Sequence, residues 1–325
     1  MVRESHIDQD VLAEAIKTCD RDPIHIPGSI QSFGYLVATD LGVTQLDAVS
    51  ANLAEALGTG TDPLFDLSPG DLLTAEQLHG VRNVLGHDTS SRQREYVGMK
   101  TLGDTEYQVS VHRKGEHAIL EFTPEQAPVD ERFIPMEEAR RFLTRDPDID
   151  HPHDILRGAV ERLRALVGFA RVKSYLFLPN DDGEVIAESR RADMPSFLGL
   201  RFPASDIPKQ ARELYSTTPL RLISDVRGSD VPLLVRRGRP TDLDLSLAVL
   251  RGTDSVHIQY LRNMGVGGTM SIPVVVRGKL YALFACHHPE PRVPDASALM
   301  AAELAGKLIG LQVEHALELR RQGEF

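Results

Sequence analysis

The chain has no tryptophan, only two cysteines and no run of eighteen apolar residues in its 325 positions. Cys19 and Cys286 stand more than 260 residues apart and no CxxC pair occurs. Neither a secreted-type disulfide framework nor a cysteine-based zinc site is therefore expected. A basic excess is also missing. The formal net charge of -11 speaks against general nucleic-acid binding, which needs a positive field for the phosphates. Without a long apolar run no membrane-spanning helix is expected, and the opening MVRESHIDQD has none of the apolar character of a secretory signal. A cytoplasmic protein is expected, with neither membrane nor nucleic acid as a partner. What is present is a globular composition, 42% hydrophobic and 26% charged, in a chain long enough for two domains with separate cores.

Along the chain, VLAEAIKT at 11–18 predicts a short helix ending near Cys19. In CDRDPIHIPGSIQ, Pro23 and Pro27 forbid regular helix and predict an extended, pinned segment. From Phe33 to about Phe122 come five short alternating segments, FGYLVATD, TQLDAVS, REYVGMKTL, EYQVSVHRK and EHAILEF. With helices expected at 51–57 and 75–85, they predict a five-stranded antiparallel sheet with helices inserted after its second strand. A linker rich in proline and acid spans 124–131. Helices are expected at 136–144 and 153–167, the second with Leu156, Val160, Leu163 and Val167 on one face and Gly168 as its stop. Strands at 171–178 and 183–191 flank an Asn180-Asp181-Asp182-Gly183 turn. Residues 225–253 read as irregular. TMSIPVVVRG and KLYALFACHH predict a hairpin, and 295–321 a long helix expected to pair with a second copy of the chain. The fold class is α+β: two mixed α/β domains with antiparallel sheets and a long C-terminal helix.

The most crowded stretch is RGTDSVHIQYLRNMGVGGTMS, from Arg251 to Ser271. His257 and Tyr260, three apart, share a helix face, although a lone histidine there is often only a satisfied interior residue. Arg221 and Arg251, beside leucines, suit a ligand with two carboxylates, surface arginine being the commoner case. PASDIP at 203–208 offers Ser205 or Asp206 as the N-cap of the helix IPKQARELY, and a capped turn can still present its backbone carbonyl. The glycines of NMGVGGTM do not fit GxGxxG. Alternation along LYALFACHH places Cys286 and His288 on one face and His287 on the other. The adjacent histidines cannot then share a metal, and Cys286 reads as core. Cys19, followed by Asp20, Arg21 and Asp22, reads as accessible.

In this order and spacing, Cys19 with PIHIPGSIQ, PASDIP, the 251–271 stretch and ACHH resemble the chromophore-binding module of bacteriophytochromes. The resemblance implies an N-terminal extension (1–32), a PAS domain (33–128) and a GAF domain with the long helix (129–325). It also implies a figure-eight knot in which PIHIPGSIQ threads the 225–253 loop, an exception to unknotted chains. The implied cofactor is biliverdin IXα, joined to Cys19 by a thioether. Many relatives carry a cysteine immediately before the pocket histidine; Val256 stands there in this sequence, leaving Cys19 as the attachment site. Asp206, with Ile207 and Pro208, would offer its main-chain carbonyl to the pyrrole N–H groups, its side chain free for an element beyond the module. His257 would hold a water beneath the pyrroles, and Arg221 and Arg251 the propionates, completed by Tyr215, Thr269 and Ser271. Tyr175, Phe202 and Tyr260 would surround ring D, with His287 at its carbonyl. Asp254 replaces a frequent serine and would repel a propionate unless Arg251 intervened. The implied activity is red/far-red photoreception by Z-to-E isomerisation, without catalysis by the module itself. Implied partners are a second copy through the last helix, and PHY and histidine-kinase output domains. The alternative from another class is a PAS-GAF sensor that binds a small ligand such as a cyclic nucleotide reversibly.

Overall fold

Short alternating strands between turn residues give the first half its shape. The structure is a computed structural model describing residues 23–87, 91, 93–144, 151–239 and 242–323; Cys19 and the helix expected at 11–18 lie outside the described residues. The first half runs β1 (Ser29–Ile30), β2 (Tyr35–Asp40), β3 (Leu46–Ser50), α1 (Leu53–Ala56), a 3-10 turn, α2 (Pro69–Leu72), α3 (Ala75–Leu85), β4 (Glu95–Leu102), β5 (Thr105–Lys114) and β6 (His117–Glu125). Thr74 starts α3 by accepting from the Gln77 amide, while the Gln77 side chain returns to the Thr74 amide, a reciprocal cap. The inward faces of these strands bury Val37, Leu46, Val109, Leu120 and Phe122 in a core of their own.

The second half runs α4 (Ile134–Arg140), α5 (Pro152–Val167), β7 (Arg171–Phe177), β8 (Gly183–Arg190), β9 (Arg201–Phe202), a 3-10 turn at Ala204–Asp206, α6 (Lys209–Thr217), β10 (Arg221–Ile223), β11 (Val231–Val235), α7 (Ser255–Asn263), β12 (Gly268–Val276), β13 (Lys279–His288) and α8 (Ala296–Gly323). Gly168 ends α5 in the left-handed region. Arg277 and Gly278, both at positive φ, make the tight turn from β12 to β13. The second sheet has the order β10-β12-β13-β7-β8-β9. One of its faces packs on α5 and α8 through Leu156, Leu163, Met270, Ile272, Phe284 and Ile309, with Cys286 fully buried among them. By length and composition α8 could cross a membrane. Most of its apolar residues are explained by this packing, 61% of the membrane-length stretch being buried.

Two expectations are corrected here. The 225–253 stretch is not wholly irregular, because β11 pairs with β3 and with β1 and extends the first sheet to β1-β11-β3-β2-β6-β5-β4. Its partner β3 lies some 180 residues away, so no local alternation marks it. Neither Ser205 nor Asp206 caps a helix. Ile207 precedes Pro208 and is pushed out of helical geometry, so α6 begins only after the proline, without a side-chain cap.

The segment after Gly28 is held between two limbs of one loop. On one side Ser29 and Ile30 pair with Pro232 and Val231. On the other, Gln31 donates its amide to the Leu250 carbonyl and Gly252 donates to Ser29. This is the arrangement that the expected knot needs. The buried Gln31 side chain fastens it, donating to the carbonyls of Leu222 at 2.7 Å and Arg251 at 3.2 Å and accepting from the Ser224 amide at 2.8 Å.

Candidate functional site

The face of the second sheet turned away from α5 and α8 forms the floor of a cavity of about 290 Å³. Strand register decides what lies on it. One row runs Arg221, Ser271, Ala285, Lys173, Glu188 across β10, β12, β13, β7 and β8. The row beside it runs Ile223, Thr269, His287, Arg171, and the row on its other side places Leu283 against Tyr175. Neighbouring strands are roughly 4.8 Å apart, so Arg221 and Lys173 stand roughly 14 Å from each other. Between them lie only the small residues Ser271 and Ala285. The floor is thus a long, shallow trough with a cation at each end.

The walls come from the connections. Asp206, Ile207 and Pro208 enter from the turn before α6, Tyr215 from α6, and His257 and Tyr260 from α7. His257 and Tyr260 stack with ring centroids 6.3 Å apart, as their spacing on one helix face predicts. Tyr260 donates its hydroxyl to the Asp206 carboxylate at 3.2 Å. That carboxylate is therefore engaged within the cavity wall, contrary to the expectation of a free side chain. Asp254 also has a different task from the one feared. It is the N-cap of α7, accepting from the Val256 and His257 amides at 3.0 and 2.9 Å. Its negative charge faces the helix start, where backbone N–H groups favour it.

Arg221 directs its two terminal nitrogens to the Arg251 and Gly252 carbonyls, at 2.6 and 2.7 Å, and so braces the loop that returns beside the thread. Arg251 is 5% exposed, and its Nη1 is buried with no hydrogen-bond partner among the described residues. Nδ1 of buried His287 is in the same condition. Burial, reinforced by Arg221, lowers the Arg251 guanidinium to about 9. Burial and then Arg221 bring the His257 imidazole down to about 4, and His287 is also held neutral by burial and by the nearby Lys173 and Arg171. Burial and then the Asp206 charge push the Tyr175 hydroxyl up to about 12. Unpartnered buried polar atoms carry a desolvation cost, and here two of them belong to residues lining one cavity.

Family models for the PAS fold and the GAF domain match residues 19–125 and 151–313. The chain is 36% identical over 314 residues to a bacteriophytochrome of Pseudomonas aeruginosa, which covers 95% of this chain and 42% of that protein. Among solved structures, the chromophore-binding domain of an unusual bacteriophytochrome from R. palustris superposes with a TM-score of 0.78 at 32% identity, covering 93% of this chain and 99% of that one. The chain belongs to the bacteriophytochromes. The chromophore binding domain of a Stigmatella aurantiaca phytochrome is similar as well, with a TM-score of 0.77, 31% identity and 90% and 98% of the two chains covered. Cyanobacterial phytochrome B of Nostoc is 33% identical over 92% of this chain. The chain spans about two fifths of the length of these curated relatives.

This bacteriophytochrome fold brings every described site residue expected from the sequence to the one cavity: Tyr175, Phe202, Asp206, Ile207, Pro208 and Tyr215, then Arg221, Arg251, His257, Tyr260, Thr269, Ser271 and His287. The Thr269 hydroxyl is engaged with the Cys286 carbonyl at 2.9 Å, and the Tyr215 hydroxyl reaches the Ser271 hydroxyl at 3.4 Å. Cys19 lies outside the described residues. Ile24, five positions on, lines the cavity. Sequence reasoning missed Lys173. The signal was alternation in RVKSYLF, which sets Arg171, Lys173 and Tyr175 on the face opposite Val172 and Leu176.

Proposed function

We propose that this bacteriophytochrome module is the light-sensing part of a red/far-red photoreceptor, and that its cavity holds biliverdin IXα covalently through Cys19. The observation that carries the reading is the trough itself: a long floor of small residues, cations at its ends, and the unpartnered nitrogens of Arg251 and His287 beside it. An elongated ligand with acidic arms and a polar far end fits that chemistry. When bound, the bilin supplies red absorption and Z-to-E isomerisation of the double bond between rings C and D.

The chain's own residues do the rest. Arg251, with Nη1 uncommitted, holds the propionates together with Arg221, which has a second N–H on each terminal nitrogen beyond its carbonyl bonds, with Tyr215, Thr269 and Ser271 on the same side. The Asp206 main chain and the His257 imidazole orient the pyrrole nitrogens. A neutral His257 can accept or donate a hydrogen bond without adding charge. Tyr175, Phe202, Tyr260 and His287 enclose ring D, and the Tyr260–Asp206 hydrogen bond is the contact best placed to change when that ring turns. The output lies in PHY and kinase domains of a longer protein, and two modules pair through α8, where Leu311 is 64% exposed.

Attachment is tested by incubating the protein with biliverdin and denaturing it. Wild type keeps its pigment through denaturation, and C19S loses it while still colouring reversibly under native conditions. Pigment that survives denaturation in C19S would exclude Cys19 as the attachment site. Uptake of a cyclic nucleotide in place of biliverdin would favour the reversible sensor.

A further inference from the structure

Lys173 is 5% exposed and faces the cavity. A buried lysine normally has an ionic partner. Among the described residues this one has no salt bridge or hydrogen bond; its ammonium lies 4.7 Å from the Phe197 ring and 5.3 Å from the Phe202 ring. The acids around it, Glu188 and Asp206, act on it through their charge but are also engaged by other groups. Glu188, next to it on β8, holds Arg171 at 2.9 Å and Arg190 at 3.4 Å, and Asp206, on the turn before α6, accepts from Tyr260. Arg171 on its own strand repels it, and His287 on β13 and the Tyr175 hydroxyl remain neutral beside it. Burial and then Arg171 bring the Lys173 amine down to about 8, against the raising effect of Glu188 and Asp206, so a further positive charge in the cavity favours its neutral form.

We propose that Lys173, at the end of the bilin cavity remote from Arg221, competes with the bound bilin for a proton, so that a positive charge on either disfavours one on the other. The proposal rests on the bilin reading above. A unit charge at the middle of the Arg221–Lys173 span, roughly 7 Å from Lys173, would shift the lysine's titration by about one to two pH units in a medium of effective dielectric about 20. The two groups then titrate as a coupled pair, and the colour of the pigment depends on both. Sequence position alone gives no hint of this, because the register across four strands is what sets Lys173 three strands from Arg221 in the same row.

The test is a spectroscopic titration of the whole chain loaded with biliverdin, in wild type, K173M, K173Q and K173R. Arginine keeps its charge throughout, so K173R should lose its red band at a midpoint about one to two pH units below K173M. Wild type should show an additional spectral step between about pH 6 and 8 that neither variant has. K173Q serves as the uncharged reference if K173M does not fold. Equal midpoints in the charged and uncharged variants, with pigment bound in both, would overturn the role of Lys173 and leave the bilin reading standing. A wild type that takes up no biliverdin would overturn both.

Discussion

Asp254 illustrates how a single residue that looks misplaced from the sequence finds its explanation in backbone geometry. Its carboxylate serves two amides at the start of the helix that carries His257 and Tyr260. D254A should cost about 1 kcal/mol in chemical denaturation, whereas D254S should stay close to wild type; equal stability of D254A and wild type would remove the cap from the account. His112 makes a second residue-scale prediction. It is fully buried with neither ring nitrogen partnered among the described residues, and burial followed by the Arg94 charge lowers it to about 3. Glu121, 3.9 Å away, is shared with Arg94 and the Leu250 amide, so it does not keep a proton on the ring. The unfolded chain takes up this proton near pH 6.5 and the folded chain does not. Stability is therefore lost as pH falls through 6.5, by about 2 kcal/mol at pH 5 for this group. Thermal unfolding between pH 7 and 5 should show the loss in wild type, with a shallower slope in H112L. Parallel slopes would contradict it.

At the level of elements, the thread and the loop around it form one unit. Gln31 and Arg221 converge on the Arg251 carbonyl, the first from the thread and the second from β10. Replacing Gln31 by alanine leaves buried groups at Leu222 and Ser224 without partners, and unfolding measurements should show a loss of about 2–4 kcal/mol; a neutral Q31A would mean that the thread is held by its backbone pairing alone. Much of this architecture was legible. Alternation marked β2 to β6, the apolar stripe and Gly168 marked α5, and the spacing of His257 and Tyr260 marked a shared face. What was not legible depended on distant pairing. β11 has the sequence VPLLV, with a proline and no sequential partner, and only its contacts with β1 and β3 make it a strand. Lys173 was overlooked for the same reason: its strand was clear, but its place three strands from Arg221 on the cavity floor follows from a four-strand register. Asp206 was identified as a site residue, yet its bond to Tyr260 joins elements 54 positions apart.

The whole molecule couples two sheets through one helix and one loop. α8 lies against the second sheet and meets the first at Arg94, which reaches both Glu121 and Glu303, while the loop carrying β11 joins the first sheet and also presents Arg251 to the cavity. The trough and α8 thus lie on opposite faces of one sheet. If two modules associate through that helix, L311E should convert a dimer into a monomer in sedimentation experiments; an unchanged sedimentation coefficient would place the interface elsewhere. The central claim is that the trough holds a light-absorbing bilin. It is tested most directly by recording the absorption spectrum of the purified protein after incubation with biliverdin, before and after red illumination. The account predicts a sharp red band that bleaches under red light. Folded protein that remains colourless, or bound pigment that does not respond to light, would contradict it.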